Sequence, residues 1–120
     1  MDLVYEKPPF LLYDDGRWPG LPNDYLAWCA KCYAPDTVRS YAYALKRWLE
    51  WCENERIDWS AFPPERAFDY RSSLAAAKMA NGSINFAMAR LVAFYDWAET
   101  RGLPSPVARL VRPRISARSA

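Results

Sequence analysis

Arg39, Tyr43 and Arg47 stand at i, i+4 and i+8 within DTVRSYAYALKRWLEWCENER, residues 36–56, with Lys46 beside them. On a helix this spacing puts the three on one face, so cations surround an exposed tyrosine. The chemistry open to such a face is binding. Glu50, Glu53 and Glu55 gather at the far end, so a polyanion laid along the first half would meet cations and be spared the acids. An ordinary solvated face can carry the same residues, and the pattern by itself leaves both readings open.

The remaining reactive residues point away from catalysis. Cys29 and Cys32 form a CxxC with only Cys52 elsewhere, and the chain has no histidine. A closed zinc site needs four ligands, so reduced thiols packed as small apolar groups are expected, with no metal. There is no Gly-rich phosphate loop, and Asp14-Asp15 belongs to a turn with Gly16. The expectation is therefore no catalytic residue, no cofactor and no small-molecule substrate.

Positioning those cations requires a helix with a buried opposite side. Val38, Tyr41, Leu45, Trp48 and Cys52 recur at steps of three and four, with Ala42 and Leu49 widening the stripe. The chain has 120 residues, 52% of them hydrophobic and 16% aromatic, enough for one well-packed domain. A net charge of +2 does not announce nucleic acid, so any such case rests on where the cations sit. No apolar run approaches the roughly twenty residues needed to cross a bilayer, so no membrane partner and a soluble, intracellular protein are expected.

Residues 1–22 are broken by Pro8, Pro9, Pro19 and Pro22 and read as an extended arm whose Phe10, Leu11, Leu12, Tyr13 and Trp18 lie across the body. Asn23 or Asp24 is expected to cap a first helix to about Tyr33, with Leu26, Cys29, Ala30 and Tyr33 on its inner face. Pro35 and Asp36 open the second, and Pro63-Pro64-Glu65 opens a third through Leu74. Asn81-Gly82-Ser83 breaks the chain and caps a fourth helix, residues 84–101, closed by Gly102. Ile84, Met88, Leu91, Tyr95 and Ala98 form its inner stripe, while Phe86, Ala89, Ala93 and Trp97 line the reverse with Arg90 at their edge. That reverse side is open to burial or to a partner. Strand patterns are absent, and Arg109, Arg112, Arg114 and Arg118 make residues 107–120 a basic linker.

Thr37-x3-Tyr41-x3-Leu45-x2-Trp48-x2-Trp51, then Ser83-Ile84-Asn85, then Phe94-Tyr95-x-Trp97 and Gly102-Leu103 resemble, in order and spacing, the core-binding domain of tyrosine recombinases, the phage-integrase superfamily. The resemblance spans roughly residues 21–106. It implies an all-α fold, a four-helix SAM-like core-binding domain over residues 23–106 with the arm before it and an interdomain linker after it. It also implies double-stranded DNA as partner, other recombinase protomers on that DNA, and a bacterial or archaeal cytoplasm with nucleoid association. Carried over by position, it places Thr37, Arg39, Ser40, Tyr43, Lys46 and Arg47 near the duplex. Ser83, Ile84 and Asn85 would offer backbone N–H groups to a phosphate, and Asn85 a base contact. Where the family often has an arginine, Phe86 stands, which implies apolar contact there with Arg90 as the nearest cation. Arg112 and Arg114 join them from the linker. The family's tyrosine nucleophile and its Arg-His-x-x-Arg element belong to a catalytic domain not seen here, so the chain is expected to be a fragment without enzymatic activity. The alternative is a helical protein-interaction module using the arm and the Phe86/Trp97 side.

Overall fold

The computed structural model describes residues 1–6 and 8–103. Among them run two short strands, β1 (Asp2–Val4) and β2 (Phe10–Leu12), and four helices, α1 (Gly20–Cys32), α2 (Pro35–Asn54), α3 (Glu65–Ala76) and α4 (Asn81–Glu99). The mostly helical body expected from the periodicities is what forms. The basic linker with Arg112 and Arg114 lies outside the described residues.

The arm is a hairpin, contrary to the expectation of no strands. β1 and β2 pair antiparallel with Leu3 opposite Leu11, and strands of three residues are too short to show an alternating pattern. Its anchor is Asn23, expected as a helix cap and found inside α1. The buried Asn23 amide accepts from the Leu11 N–H at 2.7 Å and donates to the Leu11 carbonyl at 3.0 Å. Both free edge groups of β2 at that residue are thereby satisfied while Leu11 itself is fully buried. An Asn23→Ala variant should lose about 2–4 kcal/mol, because it leaves two buried backbone groups without partners; urea unfolding measures this, and a loss below about 0.5 kcal/mol would show that the clamp contributes nothing.

α2 is the central element. Pro35 occupies its first turn, and Val38, Ala42, Leu45, Trp48, Leu49 and Cys52 are buried as the stripe requires. Trp48 has no exposed surface, and the rings of Tyr70, Phe62 and Trp51 lie 5.0, 5.3 and 5.6 Å from its own. Ala30 on α1 is exposed rather than inward, and so is Tyr33, which lies past the helix end at Cys32 where the backbone turns extended ahead of Pro35. Cys29 and Cys52 are buried as expected, while Cys32 is exposed. Burial pushes the Cys52 thiol up to about 12 and raises that of Cys29, so neither is a thiolate at neutral pH. Among the described residues no cluster could hold a metal ion, and no helix is long and apolar enough to cross a membrane.

Three helix ends share one device. Ile57 N–H reaches back to the Cys52 carbonyl, Met79 to Leu74 and Leu103 to Ala98, each spanning a left-handed residue: Arg56, Lys78 and Gly102. Only Gly102 is the residue type that makes this stop visible in a sequence.

Candidate nucleic-acid interface

α2 presents the cations on the side opposite its core stripe, and α4 begins alongside them. The connection from α3 turns at Lys78 and sets Met79 against α2, where Arg47 Nη1 lies 3.5 Å from the Met79 sulfur. A groove of about 440 Å³ follows, lined by Ser40, Tyr43 and Arg47 from α2 and by Gly82, Ser83 and Phe86 from α4. Five residues singled out in two distant segments of the sequence therefore meet at one site: Ser40, Tyr43, Arg47, Ser83 and Phe86.

The start of α4 lies one turn earlier than expected. Ala80 is its boundary residue and no side chain caps it. Ile84 N–H bonds to the Ala80 carbonyl at 3.0 Å, which removes Ile84 from the expected donors, and Asn85 lies past the opening turn. The free backbone N–H groups are those of Asn81, Gly82 and Ser83, since only the opening positions of a helix lack an internal acceptor. Gly82 faces open space, with no atom within 4 Å of where a Cβ would stand. The positive end of the helix dipole thus opens beside Arg47.

The other expected residues are distributed around this groove. Arg39 is exposed, 3.4 Å from Asp36, with its guanidinium 6.0 Å from the Tyr5 ring; Tyr5 and Tyr43 share a hydroxyl hydrogen bond. The hairpin turn therefore touches the cationic face, an element no periodicity points to. Thr37 is half-buried in the first turn of α2, and Ser40 Oγ donates to the Asp36 carbonyl. Lys46 is half-buried and 3.4 Å from Glu50, away from the groove lining. Arg90 lies with its guanidinium 4.4 Å from the Tyr41 ring and 5.5 Å from that of Phe86, its Nε buried without a partner among the described residues. It supports Phe86 from within. Asn85 accepts a hydrogen bond from Arg71 Nη2 at 3.0 Å. Sequence patterns do not reveal Arg71, Met79 and Tyr5, because each acquires its role from a residue 14, 32 or 38 positions away.

The reverse side of α4 is divided in use. Trp97 packs 5.4 Å from the Tyr25 ring and 6.4 Å from that of Trp28, so α1 covers that end. Phe86 at the other end stays 44% exposed and lines the groove.

Searches of curated proteins and of solved structures return no match. The family model for the phage integrase N-terminal SAM-like domain matches residues 24–102, from the second turn of α1 to the glycine that follows α4. With four helices in the expected order and most of its length within that match, this chain belongs to the phage integrase N-terminal SAM-like domain family.

Proposed function

We propose that this chain is the DNA-binding core-binding domain of a site-specific tyrosine recombinase. It rests duplex DNA on the groove between α2 and the start of α4 while a catalytic domain, with its own tyrosine and arginines, breaks and rejoins strands. The observation that carries this is the convergence of Arg47, Ser40 and Tyr43 with the uncapped N–H groups at Asn81, Gly82 and Ser83 on one open surface. Arg47 carries positive charge and the three backbone N–H groups donate hydrogen bonds, which is the chemistry a row of phosphates selects. Other protomers on the same DNA are the further partners in this reading, in the cytoplasm of a cell that carries the element.

A protein-docking role for the arm and the Trp97 side has less support, since the hairpin packs on its own body and α1 covers Trp97. The test is fluorescence anisotropy of short duplexes across a salt series. Affinity should fall linearly on a log–log plot, and Arg47→Ala should reduce the slope by about one, as expected when one fewer phosphate is neutralised. An affinity indifferent to salt, or dimers in a sizing run that DNA leaves unchanged, would overturn the reading.

A further inference from the structure

Phosphate ligands make up only part of the groove between α2 and α4. Tyr43 stands on α2 and Phe86 on α4, and both rings line the groove while 51% and 44% exposed. Each wall therefore leaves an aromatic surface to solvent. The next residue on each helix, Ala44 and Ala87, lines the groove too, and side chains that small leave the space between the walls open. At about 440 Å³ that space falls among sites that take a small molecule, about 300–1,000 Å³.

Arg47 borders the same space. It is exposed, meets the Met79 sulfur at 3.5 Å and forms no ion pair among the described residues, unlike Arg39 and Lys46 on the same helix, each 3.4 Å from a carboxylate. The groove thus joins an uncompensated positive charge and the open N–H groups of Gly82 and Ser83 to two aromatic surfaces. Phosphates answer the charge and the donors but have nothing to offer the rings. In a paired duplex the bases cover one another's faces, whereas a base out of the stack has a free face and carries its own phosphate. We propose that the groove holds one unpaired nucleotide of the bound DNA, its base against Tyr43 and Phe86 and its phosphate at Arg47 and the first N–H groups of α4. The inference rests on the DNA-binding reading and narrows its substrate to DNA that carries an unpaired base. Every base has an aromatic face, so the site takes any of the four with little preference.

The experiment is anisotropy of the parent chain, at one salt concentration, with four labelled DNAs: a paired duplex, the same duplex with one extra unpaired adenosine, the same with an abasic residue in its place, and the matching single strand. The extra adenosine should tighten binding about tenfold over the paired duplex, the scale of stacking one base on an aromatic side chain. The abasic bulge keeps the added phosphate and the flexible joint without the base, and should lose most of that gain. Phe86→Ala and Tyr43→Ala should each bring the ratio of bulged to paired affinity close to one, while Phe86→Trp should keep it. Both side chains are exposed, so urea midpoints of the variants should stay near that of the parent. The single strand separates the two sources of an unpaired base: binding weaker than that of the bulged duplex assigns the site to extrahelical bases, and binding as tight assigns it to single strands. If the adenosine bulge binds no tighter than the paired duplex, if the abasic bulge gains as much, or if Phe86→Ala lowers bulged and paired affinities in equal proportion, the inference fails while the DNA-binding reading stands. Failure of the parent to bind any of the four overturns both.

Discussion

Reversing both groove-side cations, R39E/R47E, should weaken duplex binding by about a hundredfold or more at low salt, since two attractions become two repulsions and the associated counterion release disappears. The fold should survive. Arg39 is held by an exposed ion pair at 3.4 Å and a distant ring, and Arg47 by a sulfur at 3.5 Å; surface interactions of this kind contribute about 1 kcal/mol or less. The singles separate the two positions. R47E should account for most of the effect because Arg47 lines the groove, whereas Arg39 stands beside it near Tyr5. Arg101→Glu, an equal reversal past the opposite end of α4 beside the Trp97 ring, should bind nearly as the parent does. Should R39E/R47E still shift duplex DNA as the parent does, with an unchanged unfolding midpoint, the groove would be the wrong surface.

How much of this is legible in the sequence depends on the distance over which each residue finds its partner. The α2 stripe is legible because Val38, Ala42, Leu45, Trp48, Leu49 and Cys52 are periodic within one segment. The cationic face comes with it, since fixing the inward side of a helix fixes the outward side. Asn23 misleads for the opposite reason: an asparagine near a helix start reads as a cap, but its amide is occupied by Leu11, 12 residues back in the chain. The start of α4 reads too late because Asn81-Gly82-Ser83 resembles a break followed by a capping serine. In the fold these three residues are helical and supply the open N–H groups themselves. Lys78 at a left-handed position gives no sign of the turn that delivers Met79 to Arg47. The convergence of α2 and α4 on one groove is tertiary, and no local pattern contains it.

Trp48→Ala should destabilise the domain by about 3–5 kcal/mol, the cost of removing a fully buried tryptophan and a large share of total stabilities that run to about 5–15 kcal/mol. The sharper comparison separates ring packing from hydrogen bonding. Trp48 Nε1 donates to Tyr95 Oη at 2.9 Å, and Tyr95 Oη in turn donates to the Trp59 carbonyl at 2.6 Å. Trp48→Phe keeps an aromatic ring among Phe62, Tyr70 and Tyr95, and the Tyr95 hydroxyl still has the Trp59 carbonyl to donate to. Tyr95→Phe removes a single oxygen yet leaves both the Trp48 N–H and the Trp59 carbonyl without that partner, at about 1–3 kcal/mol for each buried group. The expected order of destabilisation is therefore Trp48→Ala first and Tyr95→Phe at least equal to Trp48→Phe, read from urea midpoints. A Tyr95→Phe variant within about 0.5 kcal/mol of the parent would show that water or relaxation supplies the missing partners. Because Trp48 directly follows Arg47 on α2, Trp48→Phe also asks whether the core sets the groove: while folded, it should bind duplex DNA as the parent does. A fall in affinity beyond its loss of stability would mean that the seat of the ring, and not only the helix, holds Arg47 in place.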